Sequence, residues 1–119
     1  INGKGTIKAG SNSYISFYSY INVYENTEVR IGNSVSIGHN VKIYTSTIDT
    51  SEFVINSKKV TKCGNVNIGN NVLIGANVFI LPGVTVGNNV IVGANSVVSK
   101  NIPDNSVAAG SPAIVVKSY

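Results

Sequence analysis

The chain holds few side chains able to move a proton or ligate a metal: one His, one Cys and five carboxylates among 119 residues. Histidine changes charge near neutral pH. The single one here is His39, in Ile37-Gly-His-Asn-Val. Its flanking Gly38 and Asn40 predict an outward bend, so His39 reads as a surface turn residue before it reads as a proton acceptor. Asp49 is the second candidate, opening a polar stretch with Glu52, Lys58, Lys59 and Lys62. Cys63 stands alone, which excludes an intrachain disulfide and makes a metal cluster unexpected. Five of the nine aromatic residues fall in Tyr14-Ile-Ser-Phe-Tyr-Ser-Tyr-Ile-Asn-Val-Tyr. Aromatic faces stack on sugars and Tyr hydroxyls hydrogen-bond them. The plainer expectation is that these aromatics cover an open end of the fold.

The elements that must position these groups are set by a period of six. From Ile68 the chain reads Ile-Gly-Asn-Asn-Val-Leu, Ile-Gly-Ala-Asn-Val-Phe, Ile-Leu-Pro-Gly-Val-Thr, Val-Gly-Asn-Asn-Val-Ile, Val-Gly-Ala-Asn-Ser-Val and Val-Ser-Lys-Asn-Ile-Pro. An aliphatic residue opens every hexad, and Asn stands fourth in five of the six. Short flat strands alternate inward and outward side chains, and Asn tolerates the left-handed conformation that ends them. A strict hexad predicts a parallel β-helix, whereas hairpins with Asn-rich turns would not hold it. Ile31, Ile37 and Ile43 open three earlier hexads. The openers from Ile68 are out of phase with Ile43 by one residue, so about 48–65 is expected to leave the coil as a loop. Residues 103–119 read as a tail after Pro103, and 1–119 as one domain.

Composition agrees with an all-β chain: 43% hydrophobic, mostly Val and Ile, and only 12% charged. The net charge is +4, but the basic residues are scattered, so no nucleic-acid surface is expected. The positive excess suits a phosphorylated cofactor better. No run approaches the ~18 apolar residues of a membrane span, and no signal peptide is read, so a cytoplasmic protein is expected. Beginning at Ile1 and holding no Met, the chain reads as an internal or trimmed piece.

Ile31-Gly-Asn-Ser-Val-Ser-Ile-Gly-His-Asn-Val-Lys-Ile-Tyr-Thr, Ile68-Gly-Asn-Asn-Val-Leu-Ile-Gly-Ala, Ile80-Leu-Pro-Gly-Val-Thr-Val-Gly and Ala108-Ala-Gly-Ser-Pro-Ala together resemble the hexapeptide-repeat acyltransferase superfamily. Within it, the chain most resembles the maltose, galactoside and virginiamycin O-acetyltransferases and the sugar N-acetyltransferases of surface-polysaccharide pathways. The resemblance implies a left-handed parallel β-helix, a homotrimer, acetyl-CoA as co-substrate and a sugar or sugar-nucleotide acceptor. It places Ala76 and Ala94 against the pantetheine arm, Ser99 and Lys100 at the nucleotide end, and Lys117 where the family often has an Arg facing phosphate. Ile114 departs from the pattern, since another Arg is common there. Tyr18, Ser19, Tyr20 and Asn22 fall in the coil that lines the acceptor pocket.

The family's catalytic His is expected where this chain has Ile48, with Asp49 next to it. Three readings stay open. An amino-sugar N-acetyltransferase needs less help from a base, because the leaving thiolate can take the proton. An O-acetyltransferase needs a substitute, Asp49 or a neighbour's residue. A β-helix without turnover binds ligand only.

Overall fold

The computed structural model describes residues 1–119. Each hexad forms one short strand and one corner, and three such units make a coil. β1 (Asn2–Gly3), β4 (Tyr20–Val23), β7 (Lys42–Tyr44), β12 (Phe79–Ile80) and β15 (Val97–Val98) stack in parallel as sheet A. β2 (Thr6–Ala9), β5 (Glu28–Ile31), β10 (Val66–Ile68) and β13 (Thr85–Val86) make sheet B, extended by a parallel bridge from Val86 to Ile102. β3 (Tyr14–Ile15), β6 (Val35–Ile37), β11 (Val72–Ile74), β14 (Val90–Val92) and β16 (Ser106–Gly110) make sheet C in parallel. β17 (Ala113–Ser118) then pairs with β16 antiparallel and closes that sheet.

Stacking holds the openers in register: Ile31 on Ile68 on Val86, Ile37 on Ile74 on Val92, Ile43 on Ile80 on Val98. All nine are buried, so the expected inward stripe is the core itself. Eight of the eleven non-glycine residues with positive φ are Asn, the residue that bears this conformation best. The Asn side chains also bridge coils. Asn40 donates to Asn77 and Asn77 to Asn95; Asn71 donates to Asn89 and Asn89 to Asn105, all at 2.9–3.0 Å. Asn101 breaks the fourth-position rule: it has no positive φ, and its carboxamide oxygen accepts from the Thr85 N–H, while Asn105 continues the corner of Asn71 and Asn89.

Two expectations need correction. Residues Ile1 to Arg30 form regular coils, because Ile7 and Val29 pair in register and the chain completes β3 and β4. The aromatics there do not cover the open end. Tyr14, Phe17 and Tyr18 lie outward and exposed, and Ile7 packs against the core instead. The excursion is a built element: β8 (Ser46–Ile48) and β9 (Thr61–Cys63) pair antiparallel and flank a short helix, α1 (Thr50–Asn56). Asp49 caps that helix, its Oδ1 accepting the Glu52 N–H at 3.1 Å.

The three outer faces differ. Sheet B is polar, with Lys8, Arg30, Asn67 and Thr85 outward. Glu28 accepts a hydrogen bond from Arg30 and pairs with Lys8; these contacts, Arg30's hydrogen bond first, hold its carboxyl below the usual range. Sheet C presents Leu73 and Ile91, each about half exposed. Sheet A presents Tyr20, Lys42, Tyr44, Phe79 and Val97, all half-buried.

Candidate functional site

The corner between sheets C and A stacks Phe17, His39, Ala76 and Ala94 into one column. Asn40, Asn77 and Asn95 donate their N–H groups to the carbonyls of Phe17, His39 and Ala76 at 2.9–3.0 Å, which fixes the stack. The column requires close backbone approach: a Cβ on Gly75 would lie 2.7 Å from the Ala94 nitrogen. Ala76 and Ala94 are the smallest side chains of this column. His39 shares this column, and its ring stacks on Phe17 at 6.1 Å and 14°. The one histidine is thus exposed at the corner of the small-residue column, whereas Asp49 leaves the coil from the opposite edge of sheet A.

That opposite edge, between sheets A and B, carries Ser99 and Lys100, both exposed. Ser99, Leu81 and Pro82 form one wall of a cleft of about 450 Å³, and Thr47, Ile48, Asp49 and Lys62 of the excursion form the other. Ile48 is 42% exposed here, so the position expected to bear a base presents an alkyl group to the cleft. Asp49 is half-buried, with one carboxylate oxygen engaged as the helix cap. Its backbone N–H donates to the Val60 carbonyl at 2.8 Å. Lys117 sits on β17 opposite Val107, with its ammonium 5.0 Å from the centre of the Tyr119 ring. Sheet C faces away from the A–B corner, so one subunit does not bring Lys117 and Lys100 together.

The four acceptor candidates separate by role. Tyr18 is 87% exposed with φ of 64°, in the corner position that Asn40, Asn77 and Asn95 take on later coils. A bulky residue there is strained by about 1 kcal/mol or more. The Ser19 hydroxyl donates to the Gly38 carbonyl at 2.9 Å and accepts from Val41 N–H at 3.1 Å, so it holds the corner. Tyr20 and Asn22 lie on the outer face of sheet A; the Tyr20 hydroxyl accepts from Asn2 Nδ2 at 3.0 Å. Tyr20 packs edge-on against Tyr44 at 5.9 Å, and Tyr44 against Phe79 at 5.1 Å. Tyr44 and Phe79 were not among the residues picked out by type. The alternation in Lys42-Ile43-Tyr44 carries the signal, since it puts the outer two on the surface once Ile43 is inside.

The profile of the bacterial transferase hexapeptide family (six repeats) matches residues 65–100. No curated protein matches the chain in sequence. Among solved structures, a maltose O-acetyltransferase from Clostridium difficile 630 is 34% identical, with a TM-score of 0.69, covering 98% of this chain and 68% of that one. The chain belongs to the hexapeptide-repeat acetyltransferases. A galactoside acetyltransferase in complex with coenzyme A is 32% identical, with a TM-score of 0.74, covering 95% of this chain and 64% of that one. A hexapeptide-repeat acetyltransferase from Vibrio cholerae O1 biovar eltor, complexed with acetyl coenzyme A, is 28% identical, with a TM-score of 0.73, covering 93% and 70%. No group of three or more His, Cys, Asp or Glu side chains is placed to hold a metal, and no helix is long and apolar enough to cross a membrane.

Proposed function

We propose that the chain is an acetyl-CoA-dependent acetyltransferase that modifies a sugar or sugar nucleotide of the surface-polysaccharide type. Its 34% identity to a sugar acetyltransferase over 98% of its length carries this reading. In it the left-handed coil closes into a trimer, and each cofactor lies between two subunits. Pantetheine follows the Ala76 and Ala94 track of one subunit, and Ser99, Lys100 and Lys117 receive the nucleotide end. The faces support this arrangement. A threefold ring needs two different surfaces on each subunit. Sheet C offers Leu73 and Ile91 outward, while sheet B is polar. The cation sites also sit on different sides of one prism, so a ligand touching both needs two subunits. The cytoplasm is the compartment that goes with this reading.

The acceptor group is an amine. Ile48 supports this, because its side chain cannot take a proton from a hydroxyl and no histidine lines the cleft. An amine attacks through its neutral form, and the departing thiolate of coenzyme A takes the proton. The C–S bond of the thioester breaks as the C–N bond forms. Hydroxyl acetylation is the second reading, favoured by the identity to a maltose O-acetyltransferase. It requires Asp49 to accept the proton with its uncapped oxygen. Thiol release from acetyl-CoA decides between them, measured with glucosamine and with maltose. An amine acetylator turns over glucosamine at a rate that rises with pH through the amine's own pKa, and Asp49→Asn leaves most of it. Preference for maltose, lost in Asp49→Asn, establishes the second reading. Cofactor binding with no thiol release from either acceptor establishes a binding-only protein.

A further inference from the structure

We propose that Lys42 selects acceptors that carry an anionic group beside the sugar ring, a phosphate or a carboxylate. This rests on the acetyl-transfer reading above and adds the charge of its acceptor. Lys42 is the one charged residue in the five strands of sheet A. It stands in register between Tyr20 and Phe79, in the middle of the aromatic face that Tyr44 completes. It is half-buried, and no carboxylate lies within 4.0 Å: the chain's ion pairs are Glu28 with Lys8 and Glu28 with Arg30. Its ammonium meets only the Asn40 side-chain oxygen.

A cation that meets one neutral amide has hydrogen-bonding capacity left over. Ammonium carries three donors, and one is engaged. Asn40 also begins the ladder to Asn77 and Asn95, beside the His39–Ala76–Ala94 column. Lys42 therefore leans toward the track assigned to the thioester. Tyr20 and Asn22 lie one coil to one side, and Phe79 one coil to the other. A sugar stacked on Tyr44 with its reacting group toward the track would bring a substituent on the same ring to Lys42. That contact is a charge-assisted hydrogen bond, which is stronger than a neutral one.

The test is titration of the protein, loaded with coenzyme A, with glucosamine, glucosamine 1-phosphate and glucuronic acid, followed by calorimetry. The phosphate ester should bind about tenfold more tightly than the neutral sugar, the size of one charge-assisted contact. Glucuronic acid separates a general anion site from a phosphate site. The preference should vanish in Lys42→Gln and persist in Lys42→Arg, with the subunit association unchanged in both. Equal binding of the neutral and charged sugars, or a preference that survives Lys42→Gln, overturns the proposal. So does dissociation of the assembly in Lys42→Gln, which would mean that the cation pairs with a carboxylate of a second copy. Failure of the protein to bind coenzyme A at all would instead overturn the reading beneath it.

Discussion

Replacing Ile48 by His should convert the chain into a more capable hydroxyl acetylator. Ile48 ends β8, pairs with Thr61 across the hairpin, and presents its side chain to the cleft bounded by Ser99, Leu81 and Pro82. At 42% exposure it gives up about half the contribution of a fully buried aliphatic chain, so the substitution costs about 1 kcal/mol. That is small against the ~5–15 kcal/mol of an ordinary domain. The hairpin survives because the Asp49 cap and the Asp49 N–H to Val60 bond do not involve the side chain at 48. The gain is larger. A positioned base contributes ~10²–10⁴ in rate. Even a geometry that realises only the lower end would raise thiol release on maltose about a hundredfold. The assay is continuous detection of free coenzyme A with maltose as acceptor, beside a thermal melt and a cofactor titration. A variant that folds and binds cofactor normally, yet gains nothing on maltose, refutes the placement of the proton-transfer site at residue 48.

Tyr18→Asn should relieve the left-handed strain and extend the Asn40–Asn77–Asn95 ladder, raising stability by about 1 kcal/mol while raising the acceptor's KM. A thermal melt and a KM that both stay unchanged would deny both roles. Ile74→Ala should cost about 3 kcal/mol, because Ile37 and Val92 are held in register on either side and the cavity cannot close. Urea unfolding measures it, and a loss under 1 kcal/mol would mean the stacked column is loosely packed. Glu28 makes its contribution above the carboxylate's unfolded value. Its native value is lowered by the Arg30 hydrogen bond, so that stability disappears as pH falls through the lowered value. Glu28→Gln should therefore flatten the acid limb of a stability profile relative to the unmodified chain, and identical limbs would contradict it.

The hexad made the core legible because each opener is both aliphatic and spaced by a fixed interval, so burial follows from counting. Asn at the corners was legible for the same reason: few residues tolerate positive φ. The first thirty residues hid their coils, since Tyr18 takes a corner position that Asn holds on the later coils. That corner is set by stacking on the coil above, which local composition does not report. The excursion showed as a phase slip but not as a hairpin with a helix. Its hydrogen bonds run between Ser46–Ile48 and Thr61–Cys63, and no periodicity links segments that far apart. The site was half legible. Ala76, Ala94, Ser99 and Lys100 carry a recognisable pattern, but the nearness of His39 to the alanine column follows only from the register of the coils. Lys42 and Tyr44 were unmarked because a lone Lys in a strand usually means a solvated face.

Calorimetric titration with acetyl-CoA tests the central claim most directly. One cofactor should bind per subunit, with affinity that falls as salt rises, since the phosphates meet exposed cations and exposed charges are screened beyond ~8 Å at physiological ionic strength. Lys100→Ala and Lys117→Ala should each weaken binding about two- to fivefold, the range of a partly screened charge pair. Absence of binding, or affinity unchanged in both variants, would contradict the placement of the cofactor between subunits along the Ala76 and Ala94 track.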